Sequence, residues 1–155
     1  MLSIIIPSLN EEEFLPLILE SIKNQNFGDY EIILADAESK DKTVEIAKKN
    51  GCKIVAGGFP AKGRNEGAKI AKGDILFFLD ADTVLPDNFF RKSISEFNNR
   101  KLDIASFCLI PLPKRKLSSF FLNIFYNKPM ILLENILPHA ATGILMKKEI
   151  FLQKK

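Results

Sequence analysis

Cysteine, histidine and tryptophan are scarce in this sequence. Its 155 residues include no tryptophan, a single histidine (His139) and two cysteines (Cys52 and Cys108). The cysteines lie far apart, with neither the spacing of metal ligands nor the pattern of a disulfide framework. We therefore expect two free thiols, in a protein of the reducing cytoplasm.

An excess of charge of either sign is also missing. Lys and Arg number 22 and Asp and Glu number 19, so the formal net charge is only +3. That charge is too small to argue for nucleic-acid binding, and we expect no nucleic-acid partner. The chain lacks repeats, low-complexity tracts and a basic leader at its start, and its length suits one domain. We therefore expect a single domain spanning 1–155.

Short, continuous apolar runs predict strands that are buried on both faces, as in a parallel sheet. Patterns with helical spacing follow them, and Asn10 is expected to cap the first helix, with Glu11, Glu12 and Glu13 in its first turn. The predicted strands are Ser3–Ile6, Tyr30–Leu34, Lys53–Ala56, Ile75–Leu79 and Asp103–Ile110. The later predicted helices run from Ser39 or Asp41 to Gly51, from Lys62 to Lys72 and from Asp87 to Asn98.

This alternation predicts an α/β fold, a mostly parallel sheet with helices on both faces. Ligands of such sheets bind at the carboxyl ends of the strands. Three polar segments follow predicted strands at that edge: Pro7–Glu11, Asp36–Asp41 and Asp80–Asp82. We expect them to share one crevice.

The sequence Asp80-Ala81-Asp82 is the first candidate site, because two carboxylates follow a buried strand. Mg²⁺ and Mn²⁺ prefer oxygen ligands and often bind through one or two carboxylates together with substrate phosphates. A cation held there suits the departure of a phosphate-bearing leaving group. The alternative is a solvated turn before the helix that Pro86 opens.

Two further segments are candidates for nucleotide binding. Asp36 suits hydrogen bonds to a base or ribose, whereas Ser39 and Asp41 suit bonds to the loop backbone and capping of the next helix. Arg64, in the sequence R-N-E-G, could reach a nucleotide, with neighbouring glycines that permit close approach of the backbone. The alternative for Arg64 is a basic, solvated helix end.

Together these segments resemble a known family. The sequences S-I-I-I-P-S-L-N-E-E, A-D-A-E-S-K-D-K-T, K-G-R-N-E-G-A and D-I-L-F-F-L-D-A-D occur in this order within residues 1 to about 90. They are similar to the motifs of family 2 glycosyltransferases, which are inverting enzymes of the GT-A fold that use nucleotide-diphospho-sugars. The resemblance implies a Rossmann-like sheet, with a nucleotide-sugar-binding half at 1–100 and a partial acceptor-side half at 101–155.

The resemblance also implies roles for individual residues. Nucleoside binding maps onto Pro7, Leu9, Glu11 and Asp36, and the nucleotide-binding arginine maps onto Arg64. The metal and diphosphate site maps onto Asp80, Ala81 and Asp82, with Asp80 and Asp82 as ligands of Mn²⁺ or Mg²⁺ and Asp82 as the catalytic residue. The implied partners are a nucleotide-diphospho-sugar donor and a saccharide or lipid-linked acceptor.

Two departures from the family pattern stand out. Ala37 and Glu38 occupy a loop in which relatives often have a second Asp and a small residue, so Glu38 must tolerate a turn that glycine usually eases. The family's G-G-F-D-E, which carries the probable general base, does not follow Phe151, so the chain looks truncated relative to the family. A non-catalytic nucleotide-sugar-binding fragment is therefore one alternative, and a sugar-phosphate nucleotidyltransferase is another.

No general base is identified. His139 follows Pro138 in a loop expected to border the acceptor side, and a histidine titrates near ~6.5; its alternative is a loop or capping histidine. Glu149 is the second candidate, and it follows two lysines on an amphipathic turn that suits a solvated carboxylate. Neither residue matches the family's base motif.

The segment 114–137 is basic at its start and then rich in large apolar residues. Polar residues interrupt this segment and divide its apolar residues into short runs. We therefore do not expect it to span a bilayer, which takes about 20 mostly apolar residues. It could form an interfacial helix at the inner face of an anionic membrane, which would suit a lipid-linked acceptor. A helix pair packed on the sheet or in a dimer explains it equally well.

Overall fold

The computed structural model describes residues 1–107, 124, 128 and 143–153, which contain six strands and five helices. The strands are Leu2–Ser8 (β1), Tyr30–Asp36 (β2), Lys53–Ala56 (β3), Ile75–Phe78 (β4), Ile104–Ser106 (β5) and Ile144–Lys147 (β6). The helices are Leu15–Lys23 (α1), Thr43–Lys49 (α2), Pro60–Ile70 (α3), Phe89–Asn99 (α4) and Lys148–Leu152 (α5).

The strands form one sheet in the order β3-β2-β1-β4-β6-β5. Strands β1 to β4 pair in parallel, and β6 is antiparallel to β4. The register sets Ser8 beside Asp36 and Ile5 beside Phe78, so β1, β2 and β4 end along one edge of the sheet. The predicted mostly parallel α/β sheet is confirmed.

Helices cover both faces of the sheet. Successive side chains of a strand point to opposite faces, and Ile5 and Phe78 belong to a buried cluster that also contains Ala68 of α3. Phe77 points the other way and contacts Phe90 of α4, with ring centroids 6.0 Å apart. The continuous apolar runs of the sequence therefore reflect strands that are buried on both sides.

Glycines of α3 permit a close approach to the sheet. A Cβ atom at Gly67 would clash with Ile5 Cγ2, and one at Gly63 would lie 3.3 Å from the Cβ atoms of both Pro7 and Ala35. Both glycines are buried. These contacts show helix–sheet packing, and the expectation that the glycines let the backbone approach a nucleotide stays a prediction.

The first helix begins later than predicted. Helix α1 starts at Leu15 with no acidic residue in its first turn, and Asn10 does not cap it. Asn10 instead has a positive φ of 55°, and its side-chain oxygen accepts a hydrogen bond from the backbone of Lys40 (2.8 Å). The reason is tertiary: Asn10 serves the neighbouring loop after β2 rather than its own helix.

A half-buried carboxylate, that of Glu31, lies at the edge where the parallel strands begin. Glu31 Oε1 accepts hydrogen bonds from Ser3 Oγ (2.6 Å) and from the backbone of Lys72, and Glu31 Oε2 pairs with Lys53. Burial would raise the pKa of Glu31, but these bonds from Lys53, Ser3 and Lys72 lower it to about 2. This carboxylate therefore ties β1, β2, β3 and the turn before β4 together.

The chain divides into two compact units, Met1–Ala105 with Gly143–Lys155, and Ser106–Thr142. The sheet edge described below lies within the first unit. The predicted halves, 1–100 and 101–155, stay a prediction.

His139 and Cys108 lie outside the described residues, as does the segment 114–137 except for positions 124 and 128. Cys52 is a free thiol, and burial raises its pKa to about 11.

Candidate functional site

A groove of about 710 Å³ opens at the edge where β1, β2 and β4 end. Its walls come from the residues that follow each of these strands and from the loop between β3 and α3. The lining residues are Pro7, Ser8, Leu9, Glu11, Ala37, Gly58, Phe59, Pro60, Lys62, Asp80, Ala81 and Asp82. The predicted crevice thus exists at the predicted edge.

Most of the residues singled out in the sequence lie in this groove. Six of them line it directly: Pro7, Leu9, Glu11, Asp80, Ala81 and Asp82. Asp36 and Arg64 are absent from the lining but contact it, Asp36 as the neighbour of Ala37 and Arg64 through Asp80. What these residues bind stays a prediction.

Asp80 is paired with Arg64. The Arg64 Nη2 atom donates a hydrogen bond to Asp80 Oδ1 at 2.8 Å, and each side chain is 29% exposed. The guanidinium comes from α3, and its Nε is buried with no hydrogen-bond partner among the described residues. The ion pair explains why a half-buried carboxylate is tolerated after an apolar strand, because the guanidinium of Arg64 compensates the charge of Asp80.

The donor set fits a hard divalent cation. Asp82 is exposed in the groove, and Asp80 keeps its second carboxylate oxygen outside the Arg64 bond. Within the described residues no group of three His, Cys, Asp or Glu side chains forms a metal cluster. Two carboxylates without a complete protein cage suit Mg²⁺ or Mn²⁺, which usually complete their coordination with water and substrate phosphates.

Glu11 adds negative charge to the same groove. Burial, followed by the charges of Asp82 and Asp41, raises the pKa of the Glu11 carboxyl. A raised pKa means that the ionised form is disfavoured where it stands. The groove therefore favours a ligand that brings positive charge or hydrogen-bond donors to Glu11 and Asp82.

The polar residues of the loop after β2 make different sets of hydrogen bonds. Asp36 accepts two bonds from Ser39, one from its backbone (3.1 Å) and one from its hydroxyl (2.6 Å). Ser39 and Asp41 in turn accept bonds from the backbone of Asn10 and Glu12. The prediction that Ser39 and Asp41 bond loop backbone is confirmed, and Asp41 also accepts a bond from the first helical N–H, that of Thr43.

The sequence interpretation missed one wall of the groove. Gly58, Phe59, Pro60 and Lys62 line it, and Phe59 is 88% exposed. This stretch contains no predicted site residue, and the predicted helix starts at Lys62, whereas α3 begins at Pro60. The signal was available, since the loop after β3 must emerge at the same edge as those after β1 and β2.

Glu149 lies at the opposite edge. It is exposed on α5, where the backbone of Lys148 donates to the carbonyl of Asp74, immediately before the start of β4 (2.8 Å). The Asp80 site follows the other end of β4, so Glu149 is remote from the groove.

Among the helices of the described residues, none is long and apolar enough to cross a membrane.

The chain belongs to glycosyl transferase family 2. It matches that family over residues 3–150. It is also 31% identical, over 134 residues, to 4,4'-diaponeurosporenoate glycosyltransferase of Staphylococcus haemolyticus, and the match covers 77% of this chain and 36% of that protein. The chain thus spans about a third of the length of the curated relatives that it matches.

Solved structures confirm the GT-A fold predicted from the motifs. S. aureus TarS 1–349 in complex with UDP-GlcNAc superposes with a TM-score of 0.71 at 18% identity, covering 98% of this chain and 46% of that one. The glucosyl-3-phosphoglycerate synthase of Mycobacterium tuberculosis, solved with Mn²⁺, UDP and glucosyl-3-phosphoglycerate, gives a TM-score of 0.67 at 21% identity, with coverages of 97% and 57%.

Proposed function

We propose that this chain binds a nucleotide-diphospho-sugar in the groove and that the protein transfers the sugar, with inversion, to an acceptor hydroxyl. The observation that carries the proposal is the convergence of all four family motifs on one groove at the carboxyl edge of the sheet. Membership of family 2 argues against the nucleotidyltransferase alternative.

In this proposal the two ends of the donor meet different walls. The nucleoside lies against Pro7, Leu9 and Glu11, with Asp36 behind them. Its diphosphate lies at Asp80, Ala81 and Asp82, with Arg64 beside it. Phe59 presents an exposed ring at the groove, and aromatic rings of this kind stack on bases.

A divalent cation, Mn²⁺ or Mg²⁺, is part of the proposal. Asp82 and the free oxygen of Asp80 are the residues that would hold it. When bound, such a cation neutralises charge on a departing diphosphate. Arg64 holds Asp80 in place, because its bond to Asp80 Oδ1 fixes that carboxylate against α3. The Mn²⁺ complex of the mycobacterial synthase supports this assignment.

The experiment is a thermal-shift titration with UDP, GDP, CDP and dTDP, each with and without Mn²⁺. We expect one nucleotide to stabilise the protein in a metal-dependent way, and Asp82→Asn to abolish the metal-dependent part. Asp87→Asn is the matched control, since Asp87 is exposed and does not line the groove. No response to any nucleotide would contradict donor binding, and an equal loss in Asp87→Asn would contradict the metal assignment.

Turnover and acceptor are the remaining parts of the proposal. Release of free sugar, or its transfer to an acceptor, would distinguish an enzyme from a non-catalytic binding fragment. A His139→Gln variant would test His139 as the general base.

The basic and apolar segment 114–137 supports a lipid-linked acceptor at the cytoplasmic face of a membrane. Co-sedimentation with anionic vesicles, lost when Lys114, Arg115 and Lys116 become Gln, tests that part.

A further inference from the structure

Two loops at the groove are joined by hydrogen bonds that cross between them. The backbone N–H groups of three consecutive residues after β1 donate to side chains of the loop after β2 and of the first residue of α2. The bonds run from Asn10 to Ser39 Oγ (2.9 Å), from Glu11 to Thr43 Oγ1 (2.7 Å) and from Glu12 to Asp41 Oδ2 (3.0 Å). We call this set of residues, 10–12 with 39–43, the interloop clasp.

The interloop clasp is reciprocal. The backbone N–H of Lys40 donates to Asn10 Oδ1 (2.8 Å), and that of Lys42 donates to Glu12 Oε2 (2.9 Å). Each loop thus satisfies backbone groups of the other. Because residues 10–12 and 39–42 lie outside the helices and strands, these side chains replace the partners that regular structure would supply.

Strained backbone occurs on both sides of the interloop clasp. Asn10 has φ 55° and Glu38 has φ 65°, in a region where residues with a Cβ atom are uncommon. Such conformations persist only where surrounding contacts over-determine them, and they cluster at functional sites. The crossing bonds supply those contacts.

Thr43 is the buried centre of the interloop clasp. It is fully buried, and its Oγ1 accepts the Glu11 N–H while donating to Asp41 Oδ1 (2.5 Å). The Glu11 N–H therefore depends on one hydroxyl at the start of α2. Glu11 lines the groove, and its carboxyl pKa responds to burial and then to Asp82. Any shift of Thr43 would move the backbone that carries Glu11.

We propose that Thr43 is a positioning residue for donor binding: its hydroxyl, through the interloop clasp, holds Glu11 in the geometry that receives the nucleotide. Thr43 is not among the residues that line the groove, and in this proposal it acts through Glu11. The inference rests on the proposed function, since it concerns how the same groove is kept in shape.

The test compares Thr43→Val with Thr43→Ser. Valine keeps the shape but removes the acceptor of the Glu11 N–H, whereas serine keeps the hydroxyl. By isothermal titration with the nucleotide that gives the thermal shift, we expect Thr43→Val to weaken binding on the order of tenfold, because the Glu11 N–H loses its acceptor and Asp41 loses a donor. Thr43→Ser, which keeps the hydroxyl, should bind within about twofold of the parent. Amide exchange at Glu11 should accelerate in Thr43→Val alone.

The matched control is Ala47→Gly. Ala47 is fully buried in α2, and glycine there destabilises the same helix without removing a bond of the interloop clasp. If Ala47→Gly weakens nucleotide binding as much as Thr43→Val, positioning is overturned in favour of general destabilisation. Should Thr43→Val not fold, Thr43→Ala, which removes the same acceptor of the Glu11 N–H, decides: weaker binding than in Thr43→Ser supports the proposal and equal binding overturns it.

The outcomes separate the two levels of the account. A parent protein that binds none of the nucleotides refutes the proposed function, and the positioning role falls with it. A parent that binds, together with a Thr43→Val variant that binds equally well, refutes only the positioning role.

Discussion

Two carboxylates at opposite edges of the sheet, Glu31 and Glu11, have pKa values that are shifted in opposite directions. At the edge where the parallel strands begin, Glu31 receives bonds from Ser3, Lys53 and Lys72, which lower its pKa to about 2 against the effect of burial. At the edge where they end, burial and then Asp82 and Asp41 raise the pKa of Glu11. Partners within the chain compensate the charge of Glu31, whereas burial and neighbouring carboxylates disfavour the charge of Glu11.

This difference distinguishes structural acids from those available to a ligand. Desolvating a carboxylate costs free energy unless partners are present, and the Glu31 site provides them from within the chain. At the groove, Arg64 compensates Asp80, while Asp82 stays exposed beside Glu11. The remaining charge at that edge is what a cation and a donor's hydrogen-bond groups would satisfy.

The largest change in the free energy of unfolding is expected from removal of the Glu31 carboxylate. Lowering the pKa of Glu31 from 4.5 to about 2 corresponds to about 3 kcal/mol of stability at neutral pH. Glu31→Gln should therefore reduce the free energy of unfolding by about 2–3 kcal/mol in urea titrations, with nucleotide binding by the folded protein unchanged. Glu13→Gln, at an exposed position, is the control; an equal loss there would remove the distinction between the edges.

Acid should act on the two edges with opposite sign. The pKa of Glu31 is lowered on folding, so its contribution is complete above its ordinary value of 4.5 and is lost as the pH falls toward 2. The pKa of Glu11 is raised, so its protonation favours the folded state as the pH falls through its raised value. Urea titrations from pH 7 to 3 should show acid destabilisation that Glu31→Gln reduces and Glu11→Gln does not. Equal slopes in both variants would contradict the contrast.

Removal of Arg64 should leave the charge of Asp80 without its paired cation. Arg64→Met leaves Asp80 half-buried without its cation, and we expect a loss of about 1–2 kcal/mol in thermal unfolding. The double variant Arg64→Met with Asp80→Asn should recover part of this loss, because the unpaired charge is gone. Absence of any recovery would mean that the ion pair is not what Arg64 contributes.

The smallest effect concerns the strained loop beside the groove. Glu38→Gly should stabilise the protein by roughly 0.5–1 kcal/mol, because glycine adopts the positive φ of this position without steric cost. Glu38→Ala keeps the Cβ atom and should give no gain. Thermal unfolding of both variants checks this, and a gain shared by both would point to the charge of Glu38 rather than to its backbone.

The fold was predictable because its signals are local. The apolar runs of β1 to β4 mark strands that helices cover on both faces, and the predicted bounds differ from the observed ones by one or two residues at most. The strained turn at Glu38 was also expected, from a glutamate in a loop where glycine is common, and its φ of 65° confirms it.

The site was predictable only where a motif carried it. The D-x-D acids and the segment Pro7–Glu11 lie in the groove, but the pairing of Arg64 with Asp80 depends on how α3 docks, which no local pattern encodes. The same holds for Asn10, whose side chain bonds a residue 30 positions away instead of its own helix. Phe59 was missed because an exposed aromatic in a loop has no periodic signal.

The most direct test is a crystal structure of the chain with UDP and Mn²⁺, with anomalous data collected for manganese. The account predicts the nucleotide in the groove, with its diphosphate at Asp80–Asp82 and an anomalous peak in contact with Asp82. A nucleotide bound elsewhere, or manganese that does not contact Asp82, would contradict it.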